Sequence, residues 1–430
     1  MGRTVGVIVE YNPLHNGHAY HLAASKQAAG AETVVAVMSG HWLQRGEPAL
    51  MSKWARAEAA LLAGVDLVLE LPVVFSAQPA ERFAFGAVSA LEATGVVDAF
   101  CFGSESGDLE SLRALASRLA EEPDAFAALL RARLKTGAPY PAAYADACAD
   151  LIGSRDVAAA LMQPNNSLGF HYLLAHARLR GRSTPLTIRR AKAGFHDVEL
   201  RDDAIASATA IRKRLLESKG DPAAALEAIS PYAPPGTIRV LAREWEAGRA
   251  PMHWERFKTP LFHRLLTQPA SRLAGYREVT EGLERRIKKT LPALGPEASV
   301  DGLLEALKTK RYTRTKLQRM LTAIYLEHAK VDADGGTAAD DEGPAPPSGV
   351  PYLRVLGFTE AGRALLSRMK RSAAVPVVTS VGANPHPTLA LDCAATAAYA
   401  LGYASPTPDD FFADYYRAPV RISFGGSEDK

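Results

Sequence analysis

Two histidines three residues apart, His15 and His18, with Gly17 between them, are the residues of this chain best placed to do chemistry. Upstream of them, Val5-Gly6-Val7-Ile8-Val9 is a short, nearly continuous apolar run, the mark of a strand buried on both faces. Downstream, His18 to Ala28 is rich in Ala and Leu and contains no Pro, and Gly30 follows as a stop. The two imidazoles therefore stand on one side of a helix mouth. The unpaired N–H groups and the dipole of a helix N-terminus favour an anion there, and a glycine lets the backbone approach it closely. A phosphate held at that point would meet two ring donors as charge builds on it during displacement. An imidazole gains nothing from the dipole at this end of a helix, which argues that the pair has another task.

The elements around this turn repeat its pattern. Thr33 to Met38 reads as a second buried strand ending at Ser39-Gly40, and Ser52 caps a helix from Lys53 to Ala63 with Gly64 as its stop. Val65 to Leu71 is a third strand closed by Pro72, Ala80 to Thr94 a helix, and Val96 to Phe102 a fourth strand closed by Gly103-Ser104-Glu105. This order predicts an α/β fold with a doubly wound parallel sheet. Ligands of such sheets bind beyond the carboxyl ends of the strands, so His15, Ser39, Gly40, Pro72 and Gly103 should share one rim. Residues 108–163 read as mostly helical with a break at 137–141. Leu168 to Leu179 is a further helix after Pro164-Asn165-Asn166, and Pro185 to Ile188 a late strand running into Arg189 and Arg190.

With 430 residues the chain is too long for one core. We expect an α/β domain over 1–220, a helical basic region over 221–330, a flexible acidic and Gly/Pro-rich linker over 331–349, a small C-terminal α/β unit over 350–418 and a tail over 419–430. The net charge of +3 excludes a polycation, so any nucleic-acid contact needs a local basic face. The three cysteines, Cys101, Cys148 and Cys393, lie far apart without a C-x-x-C, which argues against a disulfide framework or a zinc site. No apolar run approaches the ~20 residues that cross a bilayer, and the first residues run straight into a strand. The expectation is a soluble, cytoplasmic chain with no signal peptide, no membrane contact and no metal held by a dedicated cluster.

A second phosphate-type piece is Ser207-Ala208-Thr209-Ala210-Ile211-Arg212, which sets two hydroxyls and a guanidinium at another helix start. Two basic segments are candidates for RNA: Arg285-Arg286-Ile287-Lys288-Lys289, and Lys310, Arg311, Arg314 and Lys316 interleaved with Tyr312. Either alone reads as a solvated helix face; two in one helical region beside a nucleotide-type domain point to RNA.

The H-x-G-H turn with S-x-T-x-I-R late in the domain resembles the HIGH-type nucleotidyltransferase superfamily, whose Rossmann-like domain binds ATP and directs attack on its α-phosphate. Within it the chain closely resembles the tRNA(Met) cytidine acetate ligases. The matching segments are Val9-Glu10-Tyr11-Asn12-Pro13 with H-N-G-H, Ser39-Gly40 followed by Gln44-Arg45-Gly46-Glu47-Pro48-Ala49, and Gly64 to Pro72. Phe102-Gly103-Ser104-Glu105, Pro164-Asn165-Asn166 with Leu168-Gly169, and Tyr312-Thr313-Arg314-Thr315 extend the match into the helical region.

The resemblance implies an ATP-dependent enzyme. Acetate attacks ATP to give acetyl-adenylate and pyrophosphate, and the exocyclic amine of the wobble cytidine of elongator tRNA(Met) then takes the acetyl group and releases AMP. His15, His18 and Arg212 would be catalytic. The nucleotide would be wrapped by Ile8, Val9, Glu10, Tyr11, Asn12, Pro13, Leu14, His15, Asn16, Gly17, His18, Ala19, Tyr20 and His21. It would also be met by Gly103, by Asn166 with Asn165 as the alternative, by Arg189 and Arg190, and by Ser207 and Thr209. Mg2+ would accompany ATP as co-substrate. Ser39, Gly40, Gln44 and Arg45 would lie near acetate or the target cytidine. From the residues alone, two competitors stay open: an adenylyltransferase acting on a phosphorylated cofactor precursor, and a non-enzymatic RNA-binding protein with a relic nucleotide pocket.

Overall fold

The computed structural model describes residues 2–120, 124–189, 206–218, 221–295, 298–330, 349–383 and 386–423. Of the expected features, Arg190 and nearly all of the segment 331–349 lie outside these residues, as does the end of the chain from 424.

The strands are β1 (Arg3–Val9), β2 (Ala31–Ser39), β3 (Leu67–Leu71), β4 (Ala99–Ser104), β5 (Thr184–Arg189), β6 (Leu353–Thr359), β7 (Val377–Val378) and β8 (Val420–Ile422). They form one sheet in the order β5-β4-β1-β2-β3-β6-β7, with β8 also on β6. The pairings from β5 to β3 are all parallel, as the alternation of strands and helices requires. Every residue of β3 is buried, which follows from helices covering both faces of the sheet. The chain leaves β1 for β2 on one side and later crosses back to β4 on the other side of β1. The loops after β1 and β4 therefore diverge, opening the crevice in which doubly wound folds bind ligands.

The expected Ser52 cap of the helix Lys53–Leu62 is present, and Gly30, at φ +55°, ends the helix Asn16–Ala29. The N-cap of that first helix is His15 itself, which is not among the expected caps. β4 runs two residues beyond its expected end, because Gly103 and Ser104 continue to pair with Ile188 and Arg189 of β5.

Residues 350–418 bring α/β elements of their own, and these are continuous with the first sheet. β6 lies antiparallel beside β3, with Leu67 opposite Phe358 and Glu70 opposite Arg354. The helical region packs on a core of its own, into which the loop after β2 inserts Trp42. That indole is fully buried, with ring centroids 5.3 to 6.3 Å from Trp254, Phe257, Tyr325 and Tyr399. One loop of the α/β domain is thus held by both the helical region and the C-terminal segment, a plug whose geometry bears directly on the site.

Candidate active site

The turn after β1 is built for rigidity. Tyr11 adopts φ +50°, a left-handed conformation uncommon for a bulky residue. Asn12 is buried, and its Oδ1 accepts the Leu50 N–H at 2.6 Å. The imidazoles themselves cap the following helix: the Gly17 N–H donates to His15 Nδ1 at 3.1 Å, and the His15 N–H donates to His18 Nδ1 at 3.4 Å. The two ring centroids are 3.8 Å apart, and Tyr11 meets His18 edge-on at 5.2 Å. Since each Nδ1 accepts, each neutral ring carries its proton on Nε2. Capping thus sets the tautomer, and makes Nε2–H the donor each ring can offer an anion.

The S-x-T-x-I-R segment reaches this turn. Ser207 caps Ala208–Glu217 by accepting the Ala210 N–H at 3.1 Å, and Thr209 is exposed on the first turn. Arg212 Nη1 donates to the Asn12 carbonyl at 2.9 Å, and its Nη2 lies 3.6 Å from Glu47 Oε2. Two phosphate-type motifs some 200 residues apart are thereby joined through one guanidinium.

The loop after β2 completes this side. Ser39 is fully buried, with its Oγ donating to Glu10 Oε1 at 3.4 Å, and the Gln44 N–H donates to the same oxygen at 2.7 Å. Burial raises the Glu10 carboxyl above its ordinary pKa, against the opposing pull of the Gln44 N–H, Arg45 and Arg56. Burial likewise lowers Arg45, which sits in the field of Glu47, Glu10 and Arg212. At Gly40 a Cβ would lie 2.5 Å from Glu70 Oε1.

Gly46, at φ +72°, presses on the helix Arg314–Tyr325, where a Cβ would sit 2.2 Å from the Arg319 nitrogen. Its carbonyl accepts from Trp254 Nε1 at 3.0 Å and Thr322 Oγ1 at 3.1 Å. Gly46→Ala should lower stability by about 2 kcal/mol or more, since the backbone is strained and the neighbouring backbone cannot yield. A urea midpoint equal to that of the unsubstituted chain would contradict this packing.

On the other side of β1, Gly103 lies near the end of β4, where the register carries it level with Val9. Asn166 is buried and holds the loop after β4: its Oδ1 accepts from the Glu105 and Ser106 N–H groups at 3.0 and 3.1 Å, and its Nδ2 donates to Gln163. Asn165 is less buried and donates through Nδ2 to Glu105 at 2.6 Å. Arg189 ends β5, exposed on the same rim.

In the helical region, several expected RNA contacts have protein partners. Lys288 donates to the Leu265 and Leu266 carbonyls, and Arg311 and Tyr312 meet Glu281. Arg314 meets Asp301 and Glu305, Lys316 lies 3.7 Å from Glu278, and Arg286 reaches the Ala306 carbonyl at 3.5 Å. Among the described residues Lys289 and Lys310 are exposed without an ion pair, and Arg285 is exposed with only Glu284 at 3.9 Å.

Arg56 and Lys53 are absent from the sequence-derived site. The buried Arg56 guanidinium donates to the carbonyls of Glu10 (2.7 Å), Ser39 (3.0 Å), Gly40 and Met51 (3.2 Å), tying the ends of β1 and β2 together. Burial lowers it to about 10. Lys53 Nζ, also fully buried, lies within 3.0 Å of both carboxylate oxygens of Glu70 and of Asp414. The available signal was Glu70, a charge inside the apolar run Leu67-Val68-Leu69-Glu70-Leu71. Such a residue needs a buried cation.

The rim therefore offers an anion two imidazole donors, a helix N-terminus and the Arg212 guanidinium at one end, with a buried carboxyl and Arg45 beside them. A family model described as HIGH Nucleotidyl Transferase matches residues 2–411. The tRNA(Met) cytidine acetate ligase of Lysinibacillus sphaericus is 39% identical over 421 residues, spanning 97% of this chain and 100% of that one. Its counterpart from Bacillus subtilis is 38% identical over 422 residues, 97% of each chain. Among solved structures, Thermotoga maritima TmcAL bound with alpha-thio ATP is similar with a TM-score of 0.86 at 33% identity, covering 98% of this chain and 100% of that one.

Proposed function

The chain belongs to the HIGH nucleotidyltransferases, within the family of the tRNA(Met) cytidine acetate ligases, and from that premise we propose that it uses ATP and acetate to acetylate the exocyclic amine of the wobble cytidine in elongator tRNA(Met). One observation weighs most: the paired histidines cap the helix through Nδ1 and keep Nε2–H as donor, at a turn that Arg212 also reaches.

An acetate oxygen attacks the α-phosphorus, the bond to pyrophosphate breaks, and acetyl-adenylate forms. The cytidine amine then attacks the acetyl carbon, loses a proton, and AMP departs. Acetate is already ionised at neutral pH, so the first step needs no strong base. Its obstacle is repulsion between two anions. His15 and His18 offset it at the α-phosphate, and Arg212, with Ser207 and Thr209, at the outer phosphates. Gly17 allows close approach, Gly103, Asn165 and Arg189 serve the nucleoside side, and Asn166 supports the loop they line. Ser39, Gly40, Gln44 and Arg45 face acetate or the cytidine. Magnesium would accompany ATP as its counter-ion; among the described residues no three His, Cys, Asp or Glu side chains gather to hold a cation. Among those residues, too, no helix is long and apolar enough to cross a membrane; ATP and tRNA as substrates put the reaction in the cytoplasm.

The decisive experiment mixes the protein, ATP, labelled acetate and unmodified elongator tRNA(Met). Label enters the RNA and AMP accumulates. Failure of label to enter RNA with folded, ATP-binding protein overturns the proposal; AMP transfer to a phosphorylated small acceptor would make it an adenylyltransferase.

RNA binding rests on the exposed cations. Lys289→Glu with Lys310→Glu should weaken tRNA binding about tenfold near 0.1 M salt and flatten the dependence of log K on log salt by about 1–2. Filter binding at several salt concentrations reads both; an unchanged slope would take these two lysines off the RNA path.

A further inference from the structure

The C-terminal segment presents an aromatic surface that the reaction as described does not use. Phe412, Tyr415 and Tyr416 are 51%, 51% and 70% exposed, whereas Ala413 and Asp414 between them are buried. Large rings are seldom left so exposed this close together, and buried neighbours make the surface rigid rather than loose. Its anchor is Asp414, whose carboxylate accepts from Lys53 Nζ at 2.9 and 3.0 Å and whose carbonyl accepts from Arg354 Nη2 at 3.1 Å. Lys53 also holds Glu70, the penultimate residue of β3. The rings are therefore pinned at the level of the carboxyl ends of the strands, the rim that carries the candidate site.

Arg417 follows, exposed, with its guanidinium 5.1 Å from the centroid of the Trp54 ring. Trp54 stands in turn 5.6 Å from His41, the residue after Gly40. The surface thus borders the loop that carries Gln44 and Arg45. We propose that Phe412, Tyr415 and Tyr416, with Arg417, form a stacking platform for unpaired bases of the tRNA anticodon loop.

This rests on the tRNA acetylation proposed above and extends it. A cytidine whose amine is to be acylated must leave its stack, and the bases beside it lose their stacking partners. Flat aromatic side chains restore that contact without reading sequence, and an adjacent guanidinium meets the phosphate between the bases. The chemistry favours RNA over a protein partner: the exposed groups are rings, two of them phenols that tolerate water when the platform is empty, with a cation at the edge facing the site.

The test uses the full chain. Tyr415→Ala with Tyr416→Ala should raise the Kd for an unmodified elongator tRNA(Met) transcript about tenfold, while the Kd for ATP stays within about twofold. Phenylalanine at both positions keeps the rings and should keep the affinity. Tyr416→Ala alone, at the most exposed ring, serves if the double variant melts early. Wild-type tRNA affinity in the alanine variants overturns the platform, as does an equal loss in the phenylalanine variant. Unchanged tRNA affinity with altered self-association in sedimentation would make the surface a protein contact and also overturn it. If the unsubstituted protein binds tRNA through these rings yet transfers no acetyl group, the acetylation reading falls and the platform stands.

Discussion

Alanine at position 18 lowers the rate of acetyl-adenylate formation by about 100- to 1000-fold, the range set by removing one donor from a site of developing oxyanion charge. The imidazole accepts the His15 N–H on its Nδ1 and meets the ring of Tyr11 edge-on, which fixes its orientation and puts the proton of the neutral ring on Nε2. The same substitution removes one acceptor from the helix cap, a structural effect of about 1 kcal/mol. His18→Asn separates the two roles, because an amide oxygen can accept the His15 N–H while its N–H2 falls short of the Nε2 position. Single-turnover release of pyrophosphate should therefore fall in both variants, with the melting temperature restored only in the asparagine variant. The Kd for tRNA should stay within about twofold in both, since the contacts assigned to RNA lie elsewhere. Wild-type turnover in either would remove His18 from the chemistry.

The turn and its flanking elements were legible because their determinants are local. A run such as Val5 to Val9, a cap such as Ser52 and a stop such as Gly30 act within a few residues of themselves. What escaped depends on partners far away in the chain. β4 extends through Ser104 because Arg189 lies opposite it, which no periodicity near residue 104 reveals. The pairing of β6 with β3 joins segments nearly 300 residues apart. The basic segments show the converse. Arg311 and Arg314 read as RNA contacts, but a neighbouring turn and helix bring Glu281, Asp301 and Glu305 to them, and among the described residues Lys289 and Lys310 face solvent without an ion pair. Asn166 reads in the sequence as a nucleotide contact, and its support of the loop after β4, folded around its side-chain oxygen, depends on residues some 60 positions away.

Lys53→Met tests the hidden part of the site, and we expect it to lower the unfolding free energy by about 3–5 kcal/mol at pH 7. The methionine fills nearly the same volume, so the loss is one of charge: Glu70 and Asp414, both almost wholly buried, are left without the cation they share. Glu70 is already raised above its ordinary pKa by burial and by Asp414, with Lys53 pulling it back. Without Lys53 its folded-state pKa rises further. A carboxyl raised in the folded state favours folding below its unfolded pKa and loses that contribution as pH climbs through the folded value. The deficit should therefore be largest near pH 7 and shrink as the pH falls towards 5. Asp392, on the same network and pushed up to about 8 chiefly by burial and then by Glu70, makes even the unsubstituted protein lose stability as pH rises from about 5 to 8. Urea titrations of both proteins at pH 5 and 7 separate these effects. A deficit equal at the two pH values would assign the loss to packing, and would leave the Lys53 ammonium without the role its two carboxylates give it. Arg354 and Thr396 also touch Asp414. A deficit that shrinks with falling pH would mean the C-terminal segment is locked to the rim by charge, and that weakening the lock should loosen the loop carrying Gln44 and Arg45 before the sheet itself unfolds.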